Sequence, residues 1–135
     1  MTRAAGDSTA YTVPALARWC RGGGAIVAGT EGAYGVLAWI RAPRTVTPGP
    51  YPIVARGDTA AVRGAVVAVR FLTHEIAHGF ALDSGTLTLT AAGPRLAGRI
   101  EGQGLDAGFA SRTPVTVLID SVTPGADTVK CGVAS

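Results

Sequence analysis

Thr73-His74-Glu75-Ile76-Ala77-His78-Gly79-Phe80-Ala81-Leu82 is the stretch on which the reading of this chain turns. It holds the only two histidines, spaced as His-Glu-x-x-His. On a helix the two imidazoles would stand one turn apart, roughly 6 Å, and could share one metal ion. On a strand they would share a face but stand about 13 Å apart, too far for joint ligation. Helix or strand here therefore separates an enzyme from a non-catalytic β domain.

The flanks favour strand. Val66, Val67 and Val69 are β-branched, Val67, Val69 and Phe71 alternate, and Gly64 and Gly79 weaken a helix. Downstream, Thr86-Leu87-Thr88-Leu89-Thr90 alternates hydroxyl and leucine, as a strand with one wet and one dry face does. A helix has its own support: Asp58-Thr59 could cap it, and Val62, Val66, Val69, Ile76 and Phe80 fall near helical spacing. Strand is the expectation.

Further out the pattern is all strand and turn. Residues 1–9 are small and polar and are expected to be flexible. Pro14 interrupts residues 11–20, which predicts an edge strand or two short pieces. Residues 25–28 and 34–42 suit a hairpin, with Val36, Ala38 and Ile40 on one face and Leu37 and Trp39 on the other. Four prolines make 43–52 a loop, with a strand at 51–55 and a turn at Arg56-Gly57-Asp58. Leu96, Gly98 and Ile100 alternate with charged neighbours, glycine-rich 102–108 loops, and Val115, Val117 and Ile119 alternate again. A last strand is expected to end at Cys131.

Composition fits one β domain. The chain has 135 residues, 47% hydrophobic and only 16% charged, with 19 glycines and 8 prolines, so it is too apolar for disorder and rich in turns. Its net charge of +3 comes from arginines scattered from Arg3 to Arg112 with no run of three, which argues against a nucleic-acid partner. No apolar run approaches the ~20 residues of a membrane-spanning helix. Met1-Thr2-Arg3 leads into Gly6-Asp7-Ser8, so no signal segment is legible; the chain suits either the cytosol or a mature exported domain.

Cys20 and Cys131 lie near opposite ends. They are either two buried thiols or a disulfide tying the last strand to one of the first, which would place the protein in an oxidising compartment. Trp19, Tyr34, Trp39 and Tyr51 could line a sugar or peptide groove, although core or rim packing is the ordinary role of such rings. No serine sits in a nucleophile elbow, and Gly102-Gln103-Gly104 lacks the helix of a phosphate loop.

Two resemblances extend these observations. Leu72-Thr73-His74-Glu75-Ile76-Ala77-His78-Gly79-Phe80 resembles zincin metallopeptidases, whose uncharged positions match Ile76, Ala77, Gly79 and Phe80. This implies that His74 and His78 bind zinc and that Glu75 activates a water. The match ends there. Ala81 and Ser84 replace the glycine and third ligand of one branch, with Asp83 one position early, and Met1 is the only methionine. Glu101, the downstream glutamate available to the other branch, sits in an alternating strand.

The second resemblance spans more of the chain. Arg18-Trp19-Cys20, Pro48-Gly49-Pro50-Tyr51-Pro52, Asp83-Ser84-Gly85-Thr86-Leu87-Thr88-Leu89, Leu96-Ala97-Gly98-Arg99 and a terminal cysteine follow an order similar to uncharacterised exported bacterial β domains, often lipoproteins. It implies a Cys20–Cys131 disulfide and an envelope location, with no catalytic residue, cofactor or metal.

The expected fold is an all-β, antiparallel sandwich or partly closed barrel of about 8–10 strands covering residues 10–135. Its core should include Val36, Ile40, Val67, Val69, Leu87, Leu89, Leu96, Ile100, Val115, Val117 and Ile119. The expected function is a non-catalytic exported or cell-envelope module for an unknown protein or carbohydrate ligand. A small zinc metallopeptidase using His74, Glu75 and His78 and a cytosolic β protein with two free thiols are the alternatives.

Overall fold

A computed structural model describes residues 2–4, 9–11, 13–21, 23–42, 45–54, 63–73, 76–106 and 111–131. Every regular element among them is a strand. In chain order these are β1 (Thr2–Ala4), β2 (Thr9–Tyr11), β3 (Ala15–Cys20), β4 (Ala25–Glu31), β5 (Tyr34–Arg41) and β6 (Gly49–Pro52). There follow β7 (Gly64–Thr73), β8 (Ile76–Ala81), β9 (Ser84–Ala92), β10 (Leu96–Asp106), β11 (Ser111–Val122) and β12 (Pro124–Val129).

The strands form two sheets that face each other and do not close into a barrel. One is β6-β9-β10-β11, extended past β11 by the short β1 and β2, the first of which falls within the segment expected to be flexible. The other is β12-β3-β4-β5-β7-β8. All pairings between strands are antiparallel except β12 with β3, which run parallel. The antiparallel expectation fails at that edge because the chain leaves β11 in one sheet and joins the other sheet beside β3.

Inward positions carry the core. Tyr51, Leu87, Ile100 and Val117 stand in register across the first sheet, and all are buried. Ala25, Ile40 and Ala65 do the same across the second. Of the core expected from alternation all residues are buried except Val36, which is half-buried against the cluster. Burying these side chains is the main driving force for the two sheets to stack.

Three boundaries differ from expectation. The strand expected at 51–55 is the edge strand β6, which lies at 49–52 and so begins two residues earlier, inside the segment also expected to loop; Pro50 and Pro52 are tolerated because β6 has a neighbour on one side only. The last strand ends at Val129, short of Cys131. Residues 102–106 are not loop either: β10 continues to Asp106, and the alternation of buried Ile100, Gly104 and Asp106 with exposed Glu101, Gln103 and Leu105 runs through it. Its glycines reflect crowding, since a Cβ on Gly104 would lie 2.3 Å from the Ala81 carbonyl oxygen and one on Gly102 2.4 Å from that of Ser84. The β8–β9 corner crosses β10 too closely for any side chain there. The turn expected at Arg56-Gly57-Asp58 lies outside the described residues.

Candidate functional site

The histidine segment falls at the junction of two strands. β7 and β8 are antiparallel neighbours in the register Thr73↔Ile76, Phe71↔His78 and Val69↔Phe80. His74 and Glu75 lie outside the described residues. The residues on either side of them are paired strand, so no helix runs through Leu72, Thr73 or residues 76–81 to put His78 one turn from His74. The strand expectation holds for the described part of the segment.

His78 points toward the opposite sheet. Its Nδ1 lies 2.5 Å from Oδ2 of Asp106, and both side chains are nearly buried, 12% and 6% exposed. The imidazole stacks on Phe71, with ring centroids 4.8 Å apart and planes within 8°, and Phe71 meets Phe80 edge-on. β8 of one sheet is thereby joined to β10 of the other. Two polar groups largely withdrawn from water satisfy each other there. Among the described residues no three His, Cys, Asp or Glu side chains gather as a metal site would require. Asp106 is not legible in the sequence, because Gly102 and Gly104 read as loop and beyond them the pattern reverses, with Leu105 facing out and the carboxylate of Asp106 facing in.

Asp83, one position away from where a third zinc ligand would stand, is engaged differently. The Arg112 guanidinium donates to both of its carboxylate oxygens, through Nη1 to Oδ2 at 2.9 Å and through Nη2 to Oδ1. That hydrogen bonding, with the positive charge of Arg112 behind it, holds the Asp83 carboxyl below its ordinary pKa of 3.8. The Asp83 amide donates to the Gln103 carbonyl, so the pair fastens the β8–β9 corner to β10 and β11.

Cys20 closes β3 and Cys131 follows β12. Their Cα atoms are 5.4 Å apart and their Sγ atoms are at bonding distance, 1.99 Å. The bond fixes the parallel strand β12 to its neighbour, next to the Arg21 amide that donates to the Val129 carbonyl.

The outer faces of the two sheets are chemically unlike. Across the second sheet Leu16, Ala28, Leu37, Ala68 and Ala81 stand in one register row over five strands. Beside them Ile26, Trp39 and Val66 form a second row. Leu16 and Leu37 are 69% and 41% exposed. The first sheet turns outward Thr86, Thr88, Arg99, Glu101, Gln103 and Thr116, with Arg99 and Glu101 paired at 3.0 Å; Leu105 and Leu118 also face outward there, 48% and 43% exposed, each opposite an arginine in the register.

The aromatic side chains do not form a sugar platform. Tyr51 is fully buried and its hydroxyl donates to the Thr47 carbonyl at 2.7 Å. Trp19 and Tyr34 pack on the core, and the Arg41 guanidinium covers the Trp39 ring at 4.4 Å.

Between the sheets, beside the start of β3 and the end of β11, lies an open cleft of about 450 Å³. Val27, Val36 and Ala38 form one wall, Ile100, Val117 and Ile119 the other, and Asp120, Ser121 and Thr123 stand at its polar side.

Comparison with known proteins adds no assignment. No family model matches the chain, and no curated protein or solved structure matches it.

Proposed function

We propose that this chain is an exported, non-catalytic β-sandwich domain of the cell envelope that binds a protein partner through the outer face of its second sheet. The observation that carries the proposal is the register row Leu16-Ala28-Leu37-Ala68-Ala81, a continuous apolar band over five strands, whereas the leucines exposed on the other outer face, Leu105 and Leu118, each stand opposite an arginine among threonine and glutamate. Contiguous exposed apolar surface is a mark of interaction sites. A protein fits better than a carbohydrate, because the band is aliphatic, while Tyr51 is buried, Trp19 and Tyr34 are half-buried against the core and the Trp39 ring carries the Arg41 guanidinium. The Cys20–Cys131 pair supports an oxidising compartment, and with it export. No helix among the described residues is long and apolar enough to cross a membrane.

A photocrosslinking residue placed at Leu37 in the cells that make the protein tests the face. A discrete adduct is expected from position 37 and none from position 88 on the opposite sheet. Equal labelling at the two sites, or none at position 37, rejects the assignment. Export is tested separately, by fractionating cells and alkylating free thiols under denaturing, non-reducing conditions. Two alkylated cysteines in a cytosolic fraction would favour the cytosolic alternative.

A further inference from the structure

The apolar row on the outer face of the second sheet alternates in size. Leu16 and Leu37 project, 69% and 41% exposed, while Ala28 between them and Ala68 beyond them are small. An open, shallow dent of about 320 Å³ adjoins Leu37, and Ala28, Gly35, Ala68, Thr30 and Arg70 line it. The face thus carries a knob and a seat side by side. Apolar side chains left so exposed gain free energy when a matching surface covers them.

The strand register allows two copies of this face to be laid on each other residue by residue. In a closed dimer the same patch serves both partners, related by a two-fold axis. An axis lying along the strands, between β4 and β5, sets Leu37 over Ala28 of the second copy and Leu16 over its Ala68. In the row beside it Ile26 falls over the Trp39 ring and the Arg41 guanidinium stacked on it. Moving the axis one strand over, between β5 and β7, still sets Leu37 over an alanine but carries Leu16 past β8 and off the sheet. Only the first arrangement seats both exposed leucines. It also keeps like charges apart, because Arg18 falls over Val66 of the second copy, two rows or about 13 Å from its Arg70. Four strands then overlap across about 19 Å and three rows along about 20 Å, roughly 400 Å² a side. That is about half of a standard interface and suits a weak, reversible dimer.

From this matching we infer that the occupant of the face is a second copy of this chain, in a two-fold dimer whose second sheets pack face to face. Leu37 of each copy sits on Ala28 of the other. The inference rests on the outer face being the docking surface, and it names the partner.

Sedimentation equilibrium of the purified, oxidised protein is expected to show monomer and dimer in exchange. Ala28→Leu fills the seat and Leu37→Ala removes the knob, and each is expected to weaken the dimer at least about tenfold. The double variant Ala28→Leu with Leu37→Ala exchanges knob and seat, and should bring dimerisation back to within a few-fold of wild type. Thr88→Lys, on the other outer face, should change nothing. A measurement on wild type alone covers the case of a variant that does not fold. In a mixture of ¹³C-labelled and unlabelled protein, isotope-filtered NOEs should join the Leu37 methyls of one copy to the Ala28 methyl of the other. A monomer at every concentration up to about 1 mM overturns the inference. So does a double variant as weak as the singles, or a dimer without those NOEs. Recovery by Ala68→Leu with Leu37→Ala in place of the Ala28 exchange overturns the axis. A monomeric purified chain that crosslinks from position 37 to a different protein in cells removes the second copy and leaves the face as a docking surface.

Discussion

An imidazole and a carboxylate largely withdrawn from water, as His78 and Asp106 are, lean on each other because little solvent is left to replace either partner. Replacing Asp106 by alanine leaves the His78 Nδ1 without that partner in an apolar pocket made by Phe71, and should cost about 1–3 kcal/mol of stability. Asp106→Asn retains a hydrogen-bonding group and should cost less. The joint replacement His78→Phe with Asp106→Leu should recover much of the loss, because removing both polar groups leaves nothing unsatisfied. Urea denaturation of the single and double variants measures this, and additive losses would show that the two residues do not act as a pair. At the surface, Asp83 titrates below an ordinary aspartate because Arg112 donates to it. A carboxylate whose folded pKa is depressed adds stability above its unfolded value, and that increment disappears as pH falls through the folded one. Wild type and Arg112→Gln should therefore differ modestly near neutral pH and converge in acid. Salt should shrink the difference, since both groups are exposed. A gap that widens below pH 3 would contradict this.

At the scale of elements, alternation made most of the sandwich legible. Leu87 and Leu89, Val115 and Val117, and Val67 and Val69 each announced the buried side of a strand, and each lies in the core. Glycine and proline obscured the rest. Gly102 and Gly104 look like loop residues in sequence, yet they sit in β10 because the β8–β9 corner leaves no room for a Cβ, a crowding between segments some twenty residues apart that no local pattern reports. Asp106 was hidden with them, and so was the partner of His78. Pro50 and Pro52 blurred the bounds of β6 in the same way, expected at 51–55 and found at 49–52, since whether a proline is tolerated depends on whether its strand lies at a sheet edge. Gly104→Ala tests the crowding. With its Cβ at 2.3 Å from the Ala81 carbonyl oxygen, it should destabilise by about 1–3 kcal/mol, read as a lowered denaturation midpoint, whereas Gly93→Ala, which meets no atom within 4 Å, should change little. The strand β12 supplies a second test. Its parallel pairing is irregular, shifting register between Gly125 and Val129, so the cysteine link contributes much of its attachment. Paired Cys20→Ser and Cys131→Ser substitutions should cost about 4–5 kcal/mol by the loop-entropy argument, with β12 amides losing hydrogen-exchange protection before those of β10.

For the whole molecule, the contrast between the two outer faces sets expectations that single residues do not. Leu37→Lys alters a side chain already 41% exposed and should leave stability within about 0.5 kcal/mol of wild type while reducing self-association or partner capture. Analytical ultracentrifugation and denaturation on the same sample separate the two effects, and a large loss of stability would mean that the face packs against the domain itself. The sequence did not disclose this band, because Leu16, Ala28, Leu37, Ala68 and Ala81 are scattered along it and become neighbours only through the register of five strands. The Cys20–Cys131 bond has a mechanical meaning as well. The cysteines are 111 positions apart, so nearly all of the sandwich lies inside one covalent ring. Tension applied between the chain ends loads β1, β2 and β3, which precede Cys20, and then passes through two sulfur atoms without loading the strands between the cysteines. At roughly 3.3–3.6 Å per extended residue, about 370–400 Å of chain cannot be drawn out while the bond is intact. Anchored at one end and pulled at the other, the oxidised domain can yield only the strands that precede Cys20, and a reductant turns the same chain into a long elastic tether.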